Sequence, residues 1–241
     1  MNSPLPVPPK HLRKCGAKFQ ADDYFLKTAN AEATRILTYT EALDSSDDSS
    51  PSQVLDIGCG VGRLPLGLKD QGYKGRYTGF DLDRKALAWC DRQLADNAYQ
   101  FLHMDIQHDR YNPRGKVRMD DTFLVPLPDG CCDVIYLYSV FTHLEEDAVK
   151  LYLKEFRRLL AQNDNAFVFL TAFLEHDVPD MAVNPPDYPP HYLNKAMGPL
   201  HRVRYNQDTF VRWVDEAGLV VDSIGDQDEW NCQSSVYLRH L

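Results

Sequence analysis

The sequence predicts an α/β domain with a doubly wound, mostly parallel sheet of seven strands that closes on an antiparallel C-terminal hairpin. Three observations carry this prediction. From residue 53 to about 174, short apolar runs alternate with amphipathic stretches, the rhythm of strand–helix–strand units covered on both faces. The first run, QVLDIG at 53–58, passes straight into alternating glycines and then a helical pattern. The last two runs, VVDSIG (220–225) and SSVYLRH (234–240), lie too close in sequence for a helical crossover, so they pair antiparallel. The chain has 241 residues, within the reach of one hydrophobic core, and a single domain over 1–241 is predicted.

The elements follow in order. Residues 1–14 form a proline-rich arm. From Asp22 to Leu43 a helix is predicted, with Phe25, Ala29, Ala33, Ile36, Leu37 and Thr40 on one face. The polar stretch 44–52 is a solvated linker, because DSSDDSSPS sustains no periodicity. Strand 53–58 precedes a helix over 62–71, then strand 76–81 and a helix over 83–97. Asp83 is placed to cap that helix, and Leu87, Cys90 and Leu94 share its inner face. Strands follow at 99–105, 132–140 and 165–174, the last two separated by a helix over 145–160. Residues 175–205 are rich in proline, tyrosine and histidine and show no period, so they are expected to form a lid beside the core 53–174. A helix over 206–219, stopped by Gly218, leads into the hairpin.

Composition excludes several functional classes. With 44% hydrophobic and 25% charged residues the chain folds rather than remaining disordered. Its formal net charge of -9 repels phosphate backbones, so nucleic acid is not an expected partner. The longest apolar run, 131–141, carries Asp133 and falls short of the ~20 residues that cross a bilayer. The start has prolines where a secretory signal needs an apolar run, which gives a cytoplasmic expectation. Cysteines at 15, 59, 90, 131, 132 and 232 show no metal-ligand spacing, and all are expected reduced and structural, with no bound metal. Oligomeric state is left open.

The sharpest motif is VLDIGCGVG at 54–62. Gly58, Gly60 and Gly62 alternate between a strand and a helix, where α/β sheets bind nucleotide-like ligands. A tight structural turn is the plainer reading, but a turn rarely needs three glycines. A dinucleotide fingerprint, G-x-G-x-x-G, would need its third glycine at Arg63. A nicotinamide-dependent oxidoreductase is therefore the weaker alternative. Asp81, ending the second strand, is placed to accept hydrogen bonds from both hydroxyls of an adenosine ribose, whichever cofactor carries it.

Asp56 with Gly58, Gly60 and Gly62 resembles the first motif of class I methyltransferases, a superfamily with a Rossmann-like fold. The resemblance spans about residues 53–225. It implies S-adenosylmethionine as cofactor, with Asp56, Gly58, Cys59, Gly60 and Gly62 around its amino-acid end, and Asp81 and Leu82 at the ribose. Asp105 would bind the adenine amino group and Ile106 would pack on the ring, while Ser139 ends the fourth strand beside the site. PLPDGCCDVIYLYSVFTHLEEDAVKLYLKEFRRLL (126–160) is similar to the superfamily's fourth-strand region, with Cys132 in place of the usual aromatic. DRYNPRG (109–115) and SVFTHL (139–144) are similar to a narrower group of bacterial small-molecule methyltransferases, some associated with sugars and secondary metabolites. NPPDY (184–188) is similar to the motif of enzymes that methylate exocyclic amines, but it lies in a loop and Asp187 displaces its tyrosine.

These resemblances imply transfer of a methyl group to a small-molecule acceptor, most simply a hydroxyl. A hydroxyl must lose a proton, and His143, just beyond strand four, is the candidate base. A structural role for His143 at the start of the following helix stands beside that reading. With an unperturbed imidazole, activity would fall as pH drops through about 6.5. Tyr24, with its neighbour Phe25, and Tyr188, His191 and Tyr192 are candidates to line the acceptor pocket, or equally to pack the core. A non-catalytic module that binds the cofactor without turnover is the third alternative.

Overall fold

The computed structural model describes residues 5–14, 16–44, 52–185, 198–229 and 231–241. Most of the predicted linker 44–52, together with Tyr188, His191 and Tyr192, lies outside them. The chain divides into two compact units: Met1–Met104 with Cys132–Val134, and Asp105–Cys131 with Ile135–Leu241.

In the first unit, β1 (Gln53–Ile57), β2 (Arg76–Asp81) and β3 (Tyr99–His103) run parallel, with Leu55 opposite Thr78 and Thr78 opposite Gln100. The helix α1 (Asp22–Asp44) buries Phe25, Ala29, Ala33 and Ile36, the face its periodicity marked. Before α1, two short 3₁₀ turns surround Arg13, which is 5% exposed. Its guanidinium donates to the carbonyls of Pro8 (2.8 Å) and Phe19 (3.1 Å), pairs with Asp22 at 2.6 Å, and lies 5.0 Å over the Phe25 ring. One buried arginine thus ties the proline-rich arm onto α1.

Helix α2 (Arg63–Asp70) follows the glycine loop, and α3 (Arg84–Gln93) follows β2. Asp83 caps α3 as its position predicts, accepting from the backbone N–H groups of Lys85 and Ala86. The helix stops four residues short of position 97 because Asp96 turns the chain, its carboxylate accepting from Ala98 and Tyr99 N–H groups at 2.8 and 2.9 Å.

The strand β4 (Val134–Leu137), which belongs to the second unit from Ile135 onward, is shorter than the predicted 132–140, because Ser139 has a left-handed φ of 60° that extended backbone cannot continue through. A 3₁₀ turn at Phe141–His143 leads into α4 (Glu146–Leu159). The strand β5 (Phe167–Glu175) is buried along nearly its whole length, as an apolar run in the middle of a sheet requires. It pairs parallel with β7 (Val203–Asn206) and antiparallel with β9 (Ser234–His240). The stretch read as an aperiodic lid contributes two strands, β6 (Met181–Val183) and β7, which pair antiparallel. They are too short to impose a period on the sequence, and they bring the strand total among the described residues to nine. Helix α5 (Gln207–Glu216) is capped by Asn206, which accepts from Thr209 N–H at 3.1 Å. The hairpin of β8 (Leu219–Ile224) with β9 is antiparallel, while the strands of the first unit pair parallel throughout. Cys59, Cys90, Cys131, Cys132 and Cys232 form no disulfide among the described residues; Cys15 lies outside them.

Candidate functional site

The glycine loop is shaped by backbone that other residues resist. Gly58, Gly60 and Gly62 have φ of 78°, 54° and 75°, all left-handed. Space then distinguishes two of them. A side chain on Gly62 would strike Leu94 Cδ1 at 2.7 Å, whereas a Cβ on Gly60 would meet nothing within 4 Å. Gly62 is therefore a packing glycine and Gly60 an open one, and a ligand can reach main-chain atoms there. The loop is pinned to the end of β2: Gly58 and Cys59 N–H groups donate to the Phe80 carbonyl at 2.9 and 3.1 Å. Gly60 N–H donates to the Asp81 carboxylate at 2.8 Å.

Asp81 holds Gly60 N–H on one oxygen and Asp83 N–H on the other, both at 2.8 Å. Each carboxylate oxygen has a second lone pair that can accept a further hydrogen bond. Burial raises the Asp81 carboxyl above the ordinary carboxylate value, partly opposed by those two N–H donors. Leu82 is half-buried, its carbonyl 3.2 Å from His103 Nε2.

Asp56 is 3% exposed and receives the Tyr77 hydroxyl at 2.6 Å. Burial pushes its carboxyl up to about 7, with the Tyr77 hydrogen bond and the Arg63 charge acting the other way. Arg63 pairs with the buried Glu32 at 3.5 Å and lies 5.4 Å from the Phe19 ring centre. The position where a dinucleotide fingerprint needs glycine is thus occupied by an arginine engaged on α1. Burial also pushes the Cys59 and Cys90 thiols up, so both stay protonated and unreactive.

The second unit holds the other predicted residues. Asp105 is fixed by its neighbours: Asn112 Nδ2 donates to its carboxylate and to the Ile106 carbonyl, both at 3.0 Å, and Lys116 and Val117 N–H groups donate to its carbonyl. Ile106 is buried. The DRYNPRG loop therefore folds back to orient an acid, a role its sequence did not disclose. Ser139 is gripped from two sides, its N–H donating to Thr171 Oγ1 at 2.8 Å and its hydroxyl accepting from Gln233 Nε2 at 2.9 Å. Gln233 is 2% exposed and comes from the approach to β9, so only the fold brings it to Ser139.

His143 sits at the end of the 3₁₀ turn with its imidazole half-buried. Its Nδ1 lies 2.9 Å from the Leu200 carbonyl. A carbonyl only accepts, so Nδ1 carries the proton and Nε2 carries the lone pair. Its backbone is held too: His108 Nε2 donates to the His143 carbonyl at 3.0 Å, and Arg110 N–H donates to His108 Nδ1 at 3.1 Å. The hydroxyl of Tyr205, which is buried, lies 2.5 and 2.7 Å from the Phe141 and Leu144 carbonyls and locks the turn. Burial, and then the charges of Arg110, His108 and His201, press the His143 imidazole down to about 4, against the Leu200 hydrogen bond. The expected titration near 6.5 is corrected accordingly.

The structure thus gathers Asp56, Gly58, Cys59, Gly60, Gly62, Asp81 and Leu82 in one unit, and Asp105, Ile106, Ser139 and His143 in the other. Tyr24 is half-buried, edge-on to Phe19 at 5.2 Å between ring centres, and Phe25 is wholly in the core. Sequence reasoning missed Tyr77, Asn112, Gln233 and Leu200, which hold the predicted residues through contacts spanning 21, 7, 94 and 57 residues.

Residues 55–168 match the family model of a methyltransferase domain. Among solved structures, the chain is similar to an S-adenosylmethionine-dependent methyltransferase of Leishmania major, at 17% identity and a TM-score of 0.56, covering 91% of this chain and 74% of that one. It is similar to the glycopeptide N-methyltransferase MtfA at 14% identity and a TM-score of 0.56, covering 91% and 97%. It is also similar to LepI in complex with S-adenosylmethionine at 14% identity and a TM-score of 0.53, covering 84% of this chain and 46% of that one.

Proposed function

We propose, from the premise that this chain is an S-adenosylmethionine-dependent class I methyltransferase, that its acceptor is a hydroxyl of a small sugar-like or secondary metabolite in the cytoplasm. S-adenosylmethionine supplies an activated methyl group on a sulfonium. The open backbone at Gly60 and the remaining lone pairs of Asp81 fit it. Asp56, Gly58, Cys59 and Gly62 complete the bed for its amino-acid end, with Leu82 beside the ribose. In the second unit, Asp105 and Ile106 would be the residues to take the adenine, and Ser139 is a further candidate for the cofactor. In the first unit, Tyr24 is a candidate for the acceptor.

The observation that carries the hydroxyl reading is the tautomer of His143. The Leu200 carbonyl holds the proton on Nδ1 at 2.9 Å and leaves Nε2 as a proton acceptor. Acid–base help of this kind is needed for a hydroxyl and not for an amine that is already neutral. The imidazole, held down at about 4, stays unprotonated through the neutral range, so the base form is present across it.

The test uses a labelled-methyl screen of small-molecule extracts to find the acceptor, then single-turnover transfer by wild type and His143→Ala across pH. A loss of about 10²–10⁴-fold is expected, with S-adenosylhomocysteine affinity unchanged. Wild-type activity should persist through neutral pH and fall only as pH approaches the imidazole's value of about 4. A variant with wild-type rate and profile would reduce His143 to a structural residue.

A further inference from the structure

The segment from Asp105 to Val117 lies wholly in the second unit and closes on the acid at its own start. Two bridges shut it, one between Ile106 and Val117 and one between His108 and Asn112. The backbone of the acid is held first: Lys116 and Val117 N–H groups donate to the Asp105 carbonyl at 2.8 and 2.9 Å. Gln107 N–H then donates to the Val117 carbonyl at 2.7 Å. Glycine at 115 permits this closure, since a Cβ there would lie 2.4 Å from the Ile106 carbonyl oxygen and 2.5 Å from the Gln107 nitrogen.

The side chain of the acid is held separately, by Asn112. The backbone of Asn112 exchanges bonds with His108 at 2.8 and 3.0 Å, and its carbonyl also receives Gly115 N–H at 3.0 Å. So tied, its amide donates both to Asp105 Oδ1 and to the Ile106 carbonyl, each at 3.0 Å. Both partners are acceptors, so the NH₂ end of the amide must face them. Asp105 and Asn112 are half-buried, which leaves the acid surface on which a ligand can lie.

An ionised carboxylate only accepts, and its oxygens have room for several donors. A base laid against it is therefore read by what its edge offers. An exocyclic amino group donates and is favoured, whereas a carbonyl in the same place sets acceptor against acceptor. Such discrimination requires a carboxylate that does not turn away, and rotation of Asp105 would break its bond from Asn112.

We propose that Asn112 is a base-selecting residue: by fixing the Asp105 carboxylate as an acceptor, it makes the chain choose an aminopurine cofactor over its 6-oxo counterpart. This rests on the reading that Asp105 takes the adenine. Asn112 acts through Asp105 and is a positioning residue.

The test titrates the full chain by calorimetry with S-adenosylhomocysteine and with S-inosylhomocysteine. The second ligand carries a 6-oxo group and an N1–H where the first has an amino group and a bare N1. The wild type should bind the adenine ligand at least about tenfold more tightly, and Asp105→Ala should abolish most of that preference. Asn112→Leu is close in size and lacks the donor. In it the dissociation constant of S-adenosylhomocysteine should rise about fivefold, while that of the 6-oxo ligand changes less than about twofold, so the ratio narrows. A residue that only stiffened the loop would weaken both ligands alike and leave the ratio in place. Asn112→Ala carries the same expectation should the leucine variant not fold. An unchanged ratio in the folded Asn112 variants, with the ratio lost in Asp105→Ala, would overturn the inference and leave the adenine role of Asp105 standing. A wild type that binds both ligands equally would overturn that role, and the inference with it.

Discussion

Replacing Asp56 by asparagine isolates the cost of a charge placed beneath the glycine loop. The carboxyl is 3% exposed and raised from 3.8 to about 7, chiefly by burial. At about 1.4 kcal/mol per unit, the shift corresponds to roughly 4 kcal/mol. Its sign follows from proton counting. Below about pH 4 the group is protonated whether folded or unfolded and costs nothing. As pH rises from about 4 to 7, the unfolded chain gives up the proton first, and stability falls by that amount. The substituted asparagine carries no charge, and its amide oxygen can still accept the Tyr77 hydroxyl that Asp56 receives at 2.6 Å. Urea unfolding of both proteins, followed by circular dichroism, should therefore give variant-minus-wild-type differences that grow by roughly 3–4 kcal/mol between about pH 4 and pH 8 in favour of Asp56→Asn. A difference that stays constant over that range would show that folding does not raise the Asp56 carboxyl.

Two further substitutions test other parts of the structure. Asp81→Ala removes the proposed ribose acceptors and the 2.8 Å tie to Gly60 N–H; with charge-assisted bonds worth about 1.5–3 kcal/mol each, calorimetry should show at least a tenfold loss of S-adenosylhomocysteine affinity, and an unchanged constant would overturn the role proposed for Asp81. Arg158→Ala should destabilise the fold by about 3 kcal/mol in the same urea assay, because buried Glu155 loses its 2.7 Å partner while the Val125 and Leu127 carbonyls lose their donors. Arg158→Lys should recover part of that loss, and a neutral result for the alanine variant would place the pair's stabilising role elsewhere.

What the sequence disclosed follows from range. The glycine loop, Asp81 at the end of β2 and the Asp83 cap are local: each depends on a backbone conformation or on a donor within a few residues, so spacing alone displays them. The inner face of α1 was equally legible, because Phe25, Ala29, Ala33 and Ile36 keep helical spacing. The residues that tune the site are long-range. Gln233 reaches Ser139 across 94 residues, and Leu200 reaches His143 across 57, and no local pattern marks such partners. The early ending of β4 turns on a non-glycine residue in left-handed backbone, which propensity does not anticipate. Strands β6 and β7 escaped because three and four residues cannot display an alternation. The imidazole's titration was misplaced because its burial and its cationic neighbours are products of the fold.

Cofactor choice is tested most directly by isothermal titration of the full chain with S-adenosylhomocysteine and, separately, with NAD. The open Gly60, the carboxylate of Asp81 and the arginine at position 63 predict saturable one-to-one binding of S-adenosylhomocysteine and no comparable affinity for NAD. Preferential binding of NAD, with S-adenosylhomocysteine failing to saturate, would contradict it.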